Sequence, residues 1–296
     1  MGLVAFASAK GSPGVTTTTL AMGALWPRPV IVAECDASGA DIPLRMANEA
    51  GGVLDPDRGL LSLAAAGRKG LRSDLVLAHT QRVIGGLDVL AGPRVPEQAA
   101  GMTNFWPLLG AALDGLPGRD VLADCGRIGS ATPQLAVLRA ARLLILVGTA
   151  EPSSVVHLRE RLAVLAAALD PASPVGTPIA VVVVADPKAR DAVNQVRETL
   201  RRTELPLRGL WHLAHDERGA GFFKGRVTGR ADKTPLVRSA RSATDEAADI
   251  VAPFFVAPEE PADESAPGSG VGDQEATAAD PAWEGFSFSA QTGKGG

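Results

Sequence analysis

Short, solidly apolar runs alternate with longer helical stretches along most of this 296-residue chain. The runs predicted as β-strands span residues 3–9, 30–34, 87–92, 120–124, 143–148, 179–186 and 207–213. The predicted helices span residues 16–26, 58–67, 96–113, 132–141, 153–169, 188–202 and 234–252. Because most strands are apolar throughout, both of their faces should be buried. This alternation predicts an α/β fold, a doubly wound and mainly parallel sheet flanked by helices, with its ligand at the carboxyl ends of the strands.

The composition changes at Ala257. From there to Gly296 the chain consists mostly of Pro, Glu, Asp, Gly, Ser and Ala, which is typical of disordered segments. We therefore expect a folded domain over residues 1–256 and a disordered acidic tail over residues 257–296. The tail holds eight acidic residues and one lysine, a net charge of −7, so the chain's formal charge of −4 leaves +3 on the body.

Two cysteines, Cys35 and Cys125, form neither a disulfide framework nor a CxxC metal pair, which suits a reducing compartment. Small buried thiols and a redox or cluster role both remain open for them. No signal peptide precedes the first strand, and no apolar run approaches the ~18 residues of a membrane span. The sequence thus predicts a cytoplasmic protein without a transmembrane segment.

The first strand runs directly into the sequence AKGSPGVTTTT, residues 9–19, and then into an Ala-rich helix. A Gly-rich turn that opens a helix is the layout of a phosphate-binding P-loop, because the backbone amides and the helix dipole favour an anion there. Val15 occupies the place of the lysine that ordinarily precedes the hydroxyl residue. An ordinary turn between strand and helix has the same composition, so the stretch by itself leaves both interpretations open.

This stretch is similar to the deviant Walker A loop of the ParA/MinD superfamily of dimerising ATPases, whose usual text is KGGxGKT[TS]. Lys10 takes the place of the signature lysine, Val15 that of the ordinary P-loop lysine, and Thr16 and Thr17 keep the hydroxyl pair. The resemblance implies ATP and Mg²⁺ as cofactors. It also implies nucleotide binding by Lys10, Gly11, Ser12, Pro13, Gly14, Val15, Thr16 and Thr17.

The similarity continues beyond the loop. Glu34-Cys35-Asp36 resembles the D-x-D text of switch I, and VLADCGR, which contains Asp124, resembles the Walker B strand with switch II. The later stretches LRAARLLILVGTAEPSSVVHL and LWHLAHD also resemble the family, so the similarity spans residues 1 to about 252.

The resemblance assigns these residues roles at the nucleotide. Thr16 would ligate Mg²⁺, Asp124 would hold the water shell of the metal, and Asp36 would orient the attacking water. In the family the signature lysine, here Lys10, reaches the nucleotide of the partner subunit, which implies a homodimer.

The valine at position 15 affects binding and hydrolysis differently. Losing one charge-assisted contact costs roughly 1.5–3 kcal/mol, which binding can survive. Hydrolysis is more sensitive than binding to the missing lysine, because negative charge on the β- and γ-oxygens must be stabilised in the transition state. We therefore expect weak or dimer-dependent nucleotide binding and slow turnover.

Two functions follow from the resemblance. One is a nucleotide-dependent dimer that positions a cargo in a bacterial cell, either DNA or, as for ParA-like proteins of the CpaE/TadZ kind, a secretion or pilus assembly. The other is a pseudo-ATPase that keeps the P-loop fold as a protein-interaction scaffold. Nucleotide binding through Lys10 separates the two.

A basic stretch lies near the end of the body, with seven basic residues and one acidic residue, Asp232, between Arg218 and Arg241. The candidate binding residues are Lys224, Arg226, Arg230, Lys233, Arg238 and Arg241. ParA relatives bind DNA without sequence preference through basic residues near their C-terminal helices, and phosphate contacts would explain the charge. A solvated face is the other interpretation, as is a dock for the acidic tail, whose Trp283, Phe286 and Phe288 would suit a partner or the body.

Overall fold

The computed structural model describes residues 2–129, 132–227, 229–255 and 287–288. Its main sheet has eight strands in the order β3-β4-β2-β5-β1-β6-β7-β8. The strands are β1 (Leu3–Ser8), β2 (Val30–Glu34), β3 (Gln81–Arg82), β4 (Asp88–Leu90), β5 (Asp120–Arg127), β6 (Leu143–Thr149), β7 (Ile179–Ala185) and β8 (Leu207–Ala214). Neighbouring strands are parallel except β3, which pairs antiparallel with β4.

Helices cover both faces of this sheet. They are α1 (Val15–Ala24), α2 (Ile42–Arg45), α3 (Leu60–Ala66), α4 (Ser73–Ala78), α5 (Pro96–Gly101), α6 (Trp106–Asp114), α7 (Leu135–Ala140), α8 (Pro152–Leu169), α9 (Arg190–Arg201), α10 (Glu217–Phe222) and α11 (Pro235–Val251). Single 3₁₀ turns follow α3 at Gly67–Lys69 and α11 at Ala252–Phe254. A separate antiparallel pair joins β9 (Gly229–Arg230) to β10 (Ser287–Phe288).

The predicted α/β fold is confirmed, and the apolar strands explain it. Every residue of β1 is buried, and its alternate side chains enter two different cores. Leu3 and Ala5 pack in the core beneath α6 and α8, whereas Val4 and Phe6 pack in the core beneath α1 and α11. Solidly apolar strands therefore lie inside the sheet, because only a strand covered on both faces can bury all of its side chains.

The prediction of one continuous helix over residues 96–113 is wrong, because the chain forms α5 and α6 with a turn between them. Pro107 lies in the first turn of α6, where its missing N–H costs no hydrogen bond. Inside one continuous helix the same proline would break the backbone ladder. The strand predicted over 87–92 is shorter, Asp88–Leu90, and the sequence analysis does not anticipate β3, α2, α4 and α10.

Asp120, at the start of β5, ties several elements together at the sheet edge opposite the P-loop. Its carboxylate accepts hydrogen bonds from the Gly2 amide (2.9 Å), the Trp26 indole (2.8 Å) and the Arg28 guanidinium (2.7 Å). Arg28 also donates to the carbonyl of Ala248 in α11 (2.9 Å). This network fixes the C-terminal end of α1 and the C-terminal end of α11 against the sheet. Helix α1 in turn positions the loop that precedes it.

Candidate nucleotide-binding site

The loop between β1 and α1 has the backbone of a phosphate-binding turn. Gly11 and Gly14 adopt φ angles of 72° and 96°, a left-handed conformation that favours glycine. Gly14 caps α1 without any side-chain hydrogen bond to the first turn. The first amides of a ten-residue helix therefore face the space beside the loop, where the helix dipole favours an anion.

A cavity of about 420 Å³ opens beside this loop at the carboxyl edge of the sheet. It brings together most of the residues that the resemblance implicates with several that it does not. The lining residues are Ser8, Gly11, Ser12, Gly14, Val15, Thr16, Thr17, Asp36, Ser38, Asp41, Arg45, Gly126, Arg127 and Lys224. The P-loop, the carboxylate of Asp36 and the basic side chains of Arg45, Arg127 and Lys224 thus share one cleft.

Asp124 lies fully buried in β5, directly beside this cleft. Its Oδ1 accepts a hydrogen bond from the Gly126 amide (3.0 Å), while its Oδ2 has no hydrogen-bond partner among the described residues. Burial raises the pKa of Asp124 to about 6, although the Thr16 hydroxyl and the Gly126 amide both lower it. A buried carboxylate oxygen without a partner is costly unless a cation or a water satisfies it.

This arrangement fits Mg²⁺. The ion is usually bound through one or two protein groups, waters and substrate phosphates rather than by a cage of carboxylates. Accordingly, residues 2–129, 132–227 and 229–255 contain no group of three His, Cys, Asp or Glu side chains that could hold a metal. Thr16 and Asp124 are the protein groups that would hold the ion and its waters. Oδ2 of Asp124 has the negative charge that the ion and its waters would need.

Asp36 enters the cleft from the end of β2. Its Oδ1 accepts a hydrogen bond from the Ser38 amide (2.8 Å), and partial burial raises its pKa. Gly126 allows the close approach of this side chain, because a Cβ at Gly126 would lie 2.0 Å from Asp36 Oδ2. The segment after β2 and the segment after β5 therefore meet at Asp36.

Glu34 organises the wall of the cleft. From the sequence it is identified only as the first residue of the Glu34-Cys35-Asp36 triplet that resembles switch I. Its buried Oε1 accepts from the amides of Asp41 (2.6 Å) and Ile42 (2.8 Å), and its Oε2 accepts from Gly92 (3.1 Å). Burial raises the pKa of Glu34 to about 7, and nearby Asp124 raises it as well, against the lowering effect of the three amides. Glu34 thus anchors the start of α2, which carries Arg45.

A second cleft of about 550 Å³ lies on the other side of the P-loop. Ser12, Pro13 and Gly14 form one wall, and the segment from Ala214 to Glu217 after β8 forms the other. The P-loop therefore borders two clefts, of which the second is the roomier, and Lys224 lines both.

Lys10 is exposed and lines neither of these two clefts. Its Nζ lies 3.1 Å from Nε2 of His157 in α8. The side chain therefore extends along the outside of the molecule, away from the cleft of its own chain.

Neither a protein-family model nor a curated protein matches this sequence. Solved structures match it over most of its length. A ParA family ATPase from Chlorobium tepidum superposes with a TM-score of 0.63 at 15% identity, covering 82% of this chain and 98% of the other. The chain has the fold of the ParA/MinD ATPases.

Two further structures with the ParA/MinD fold were solved with nucleotide. The septum site-determining protein MinD from Pyrococcus horikoshii, complexed with Mg-ADP, matches with a TM-score of 0.63 at 17% identity, covering 86% of this chain and 98% of that one. Cyanothece McdA in an ATP complex matches with a TM-score of 0.61 at 16% identity, covering 83% and 96%. At such identities the likeness concerns the fold.

Within this ParA/MinD fold the basic stretch is distributed over several elements. Lys224 and Arg226 follow α10, and Arg226 lines the second cleft. Arg230 in β9 pairs with Asp232 at 3.1 Å, whereas Lys233, Arg238 and Arg241 lie just before or on α11. The tail segment β10 pairs with β9 through Ser287 and Phe288, opposite Arg230 and Gly229. Residues 256–286 and 289–296, and with them most of the predicted tail, lie outside the described residues.

Cys35 and Cys125 lie at the ends of the neighbouring strands β2 and β5. Both are fully buried, and burial raises the pKa of each thiol well above its ordinary value. They pack in the apolar core as small side chains, which is unlike the exposed, low-pKa environment of a reactive thiol. In the described part of the ParA/MinD fold, no helix has the length and apolarity of a membrane span.

Proposed function

We propose that this protein binds ATP with Mg²⁺ in the cleft beside its P-loop and dimerises in response. The observation that carries the proposal is the convergence of the α1 N-terminus, Thr16 and Asp36 on one cavity, with Oδ2 of Asp124 buried behind the lining residue Gly126 and without a hydrogen-bond partner among the described residues. A nucleotide and its metal together require an anion-binding helix end beside a buried carboxylate that needs a cation.

Each group has a distinct task in this proposal. The amides of the loop and first helical turn bind the phosphates, and the Thr16 hydroxyl and Asp124 hold the metal with its waters. Mg²⁺, when bound, supplies the charge that neutralises the phosphate oxygens. Asp36 orients the water that attacks the terminal phosphate, and its position depends on the Ser38 amide and on the space left by Gly126.

The dimer follows from Lys10. Because this lysine extends along the outside of its own chain, its charge is available to a nucleotide held by a second copy. A nucleotide-bridged homodimer in the bacterial cytoplasm could then position a cargo, either DNA or a secretion or pilus assembly, as the resemblance implies.

Val15 favours a second candidate, a pseudo-ATPase scaffold that keeps the P-loop fold for protein interactions and no longer uses ATP. The branched side chain is buried in the apolar core with Phe6 and Leu20, so position 15 contributes no charge to the cleft. Turnover is the step that suffers most from this loss, because the missing cation would act on the transition state.

Calorimetry with Mg-ATP and light scattering of the full chain test the proposal. We expect measurable ATP binding and a mass increase toward the dimer, with Lys10→Ala keeping monomer binding and losing the ATP-linked dimer. His157→Ala serves as the matched control, since it removes the neighbour of Lys10 without removing the charge. A protein that binds no ATP and stays at one mass would be the scaffold instead.

A further inference from the structure

Three basic side chains face the nucleotide cavity from outside the P-loop. Arg45, Arg127 and Lys224 line it together with six residues of the P-loop, of which Val15 offers no charge. The cleft therefore contains cations even though the P-loop lysine is missing. The surroundings of the three side chains indicate which of them can reach the phosphates that a P-loop lysine would bind.

Arg45 and Arg127 each lie near a carboxylate of the cleft, and of the two only Arg45 forms an ion pair among the described residues. The Arg45 guanidinium forms an ion pair with Asp41, four residues earlier and also in the cavity lining. Arg127 lies near Asp36 and lowers the pKa of that carboxyl. Their charges are thus partly offset before any ligand binds.

Lys224 differs in its surroundings. Its side chain is exposed and forms no ion pair with another residue of the described chain. It lines both the cleft with Asp36 and the second cleft, so it lies across the P-loop that borders both. A polyphosphate that runs along the P-loop from one cleft to the other would pass beside this ammonium group.

The backbone around Lys224 is held against the switch-like wall. Gly225 lies so close to α2 that a Cβ there would be 2.3 Å from the Arg45 carbonyl oxygen. The Lys224 and Arg226 amides both donate to the Gly221 carbonyl, at 3.3 and 2.9 Å. The loop after α10 therefore presents Lys224 to the cleft from a fixed position.

We propose that Lys224 supplies, from the loop after α10, the phosphate-binding cation that Val15 does not supply from the P-loop. The ammonium would donate charge-assisted hydrogen bonds to phosphate oxygens, which are stronger than neutral ones. This inference rests on the proposed nucleotide binding. It assigns to one of the basic residues near the C-terminal helix a task at the nucleotide rather than on DNA.

The test measures the Kd of Mg-ATP for the full chain by calorimetry. Lys224→Ala should weaken binding by about tenfold to a hundredfold, the loss of one charge-assisted contact, and Lys224→Arg should retain most of the affinity. Lys188→Ala is the matched control, because this lysine, in the loop after β7, is also exposed yet lines neither cleft. Circular dichroism verifies that each variant is folded.

A double-mutant comparison then asks whether Lys224 replaces the P-loop cation. In a Val15→Lys background, Lys224→Ala should cost clearly less affinity, because the restored lysine binds the same phosphates. An equal loss in both backgrounds would overturn the replacement. If wild-type protein binds ATP and Lys224→Ala binds it equally well, the inference fails while the proposed function stands; if wild-type protein binds none, both fail.

Discussion

Asp124 is the single residue whose environment depends most on what occupies the cleft. Its Oδ2 is buried without a hydrogen-bond partner among the residues that the structure describes, and burial raises its pKa from 3.8 to about 6. A carboxyl with a raised pKa in the folded state costs no stability below pH 3.8, and the cost grows as the pH rises through about 6. Without ligand, the charged form of Asp124 therefore destabilises the fold at neutral pH.

We expect Asp124→Asn to raise the free energy of unfolding of the ligand-free protein, by about 2 kcal/mol more at pH 8 than at pH 4. The neutral amide keeps the acceptor for Gly126 and removes the buried charge. Urea denaturation of both proteins at the two pH values measures the difference, to which Glu34 adds in the same direction because Asp124 helps to raise its pKa. The same variant should lose Mg²⁺-dependent ATP affinity. A stability difference that does not change with pH would show that Asp124 is not desolvated in solution.

At the scale of elements, the cleft is made by segments that leave β2 and β5 side by side. Glu34 pairs with Asp124 in the register of these strands, so Asp36 and Gly126 follow at the same level. Gly126 has a φ of 58° and makes room for the Asp36 carboxylate. The two segments are therefore sterically coupled, and a side chain on one displaces the other.

Gly126→Ala tests this coupling. The added methyl group would overlap Asp36, and the left-handed backbone adds roughly 1 kcal/mol of strain. We expect a lower Tm and a loss of ATP turnover, since we propose that Asp36 orients the attacking water. Phosphate release under saturating ATP measures the turnover. Gly129→Ala is the control in the same segment, since a Cβ there meets no atom of the described residues within 4 Å. Equal behaviour of the two variants would contradict the coupling.

At the scale of the whole molecule, the chain combines a basic body with an acidic tail. The structure pairs β10 of the tail with β9, next to Arg230. If DNA uses the basic stretch, the tail competes with it for the same charges. Deleting residues 257–296 should then strengthen DNA binding at low salt, with the difference shrinking as salt screens both contacts.

Fluorescence anisotropy with a DNA duplex over a salt series measures this effect. A shorter deletion, residues 257–279, removes six of the eight tail acids and keeps the β10 segment, which separates charge from strand pairing. Equal DNA affinities for the full chain and both deletions at low salt would remove the competition, and the aromatic group at Trp283, Phe286 and Phe288 would then be a candidate motif for another partner.

The sequence by itself determined the class of fold, and it predicted that the loop after β1, Asp36 and Asp124 lie at the carboxyl edge of one sheet. Solid apolar runs report burial on two faces, and residues that end parallel strands necessarily meet at one edge. Only the tertiary structure decided that β5 lies between β2 and β1, that Glu34 anchors α2, and that Lys224 reaches the cleft from more than two hundred residues beyond the P-loop. The physical reason is that periodicity records which side chains are buried, whereas contacts between distant loops depend on strand order and packing, which no local pattern encodes.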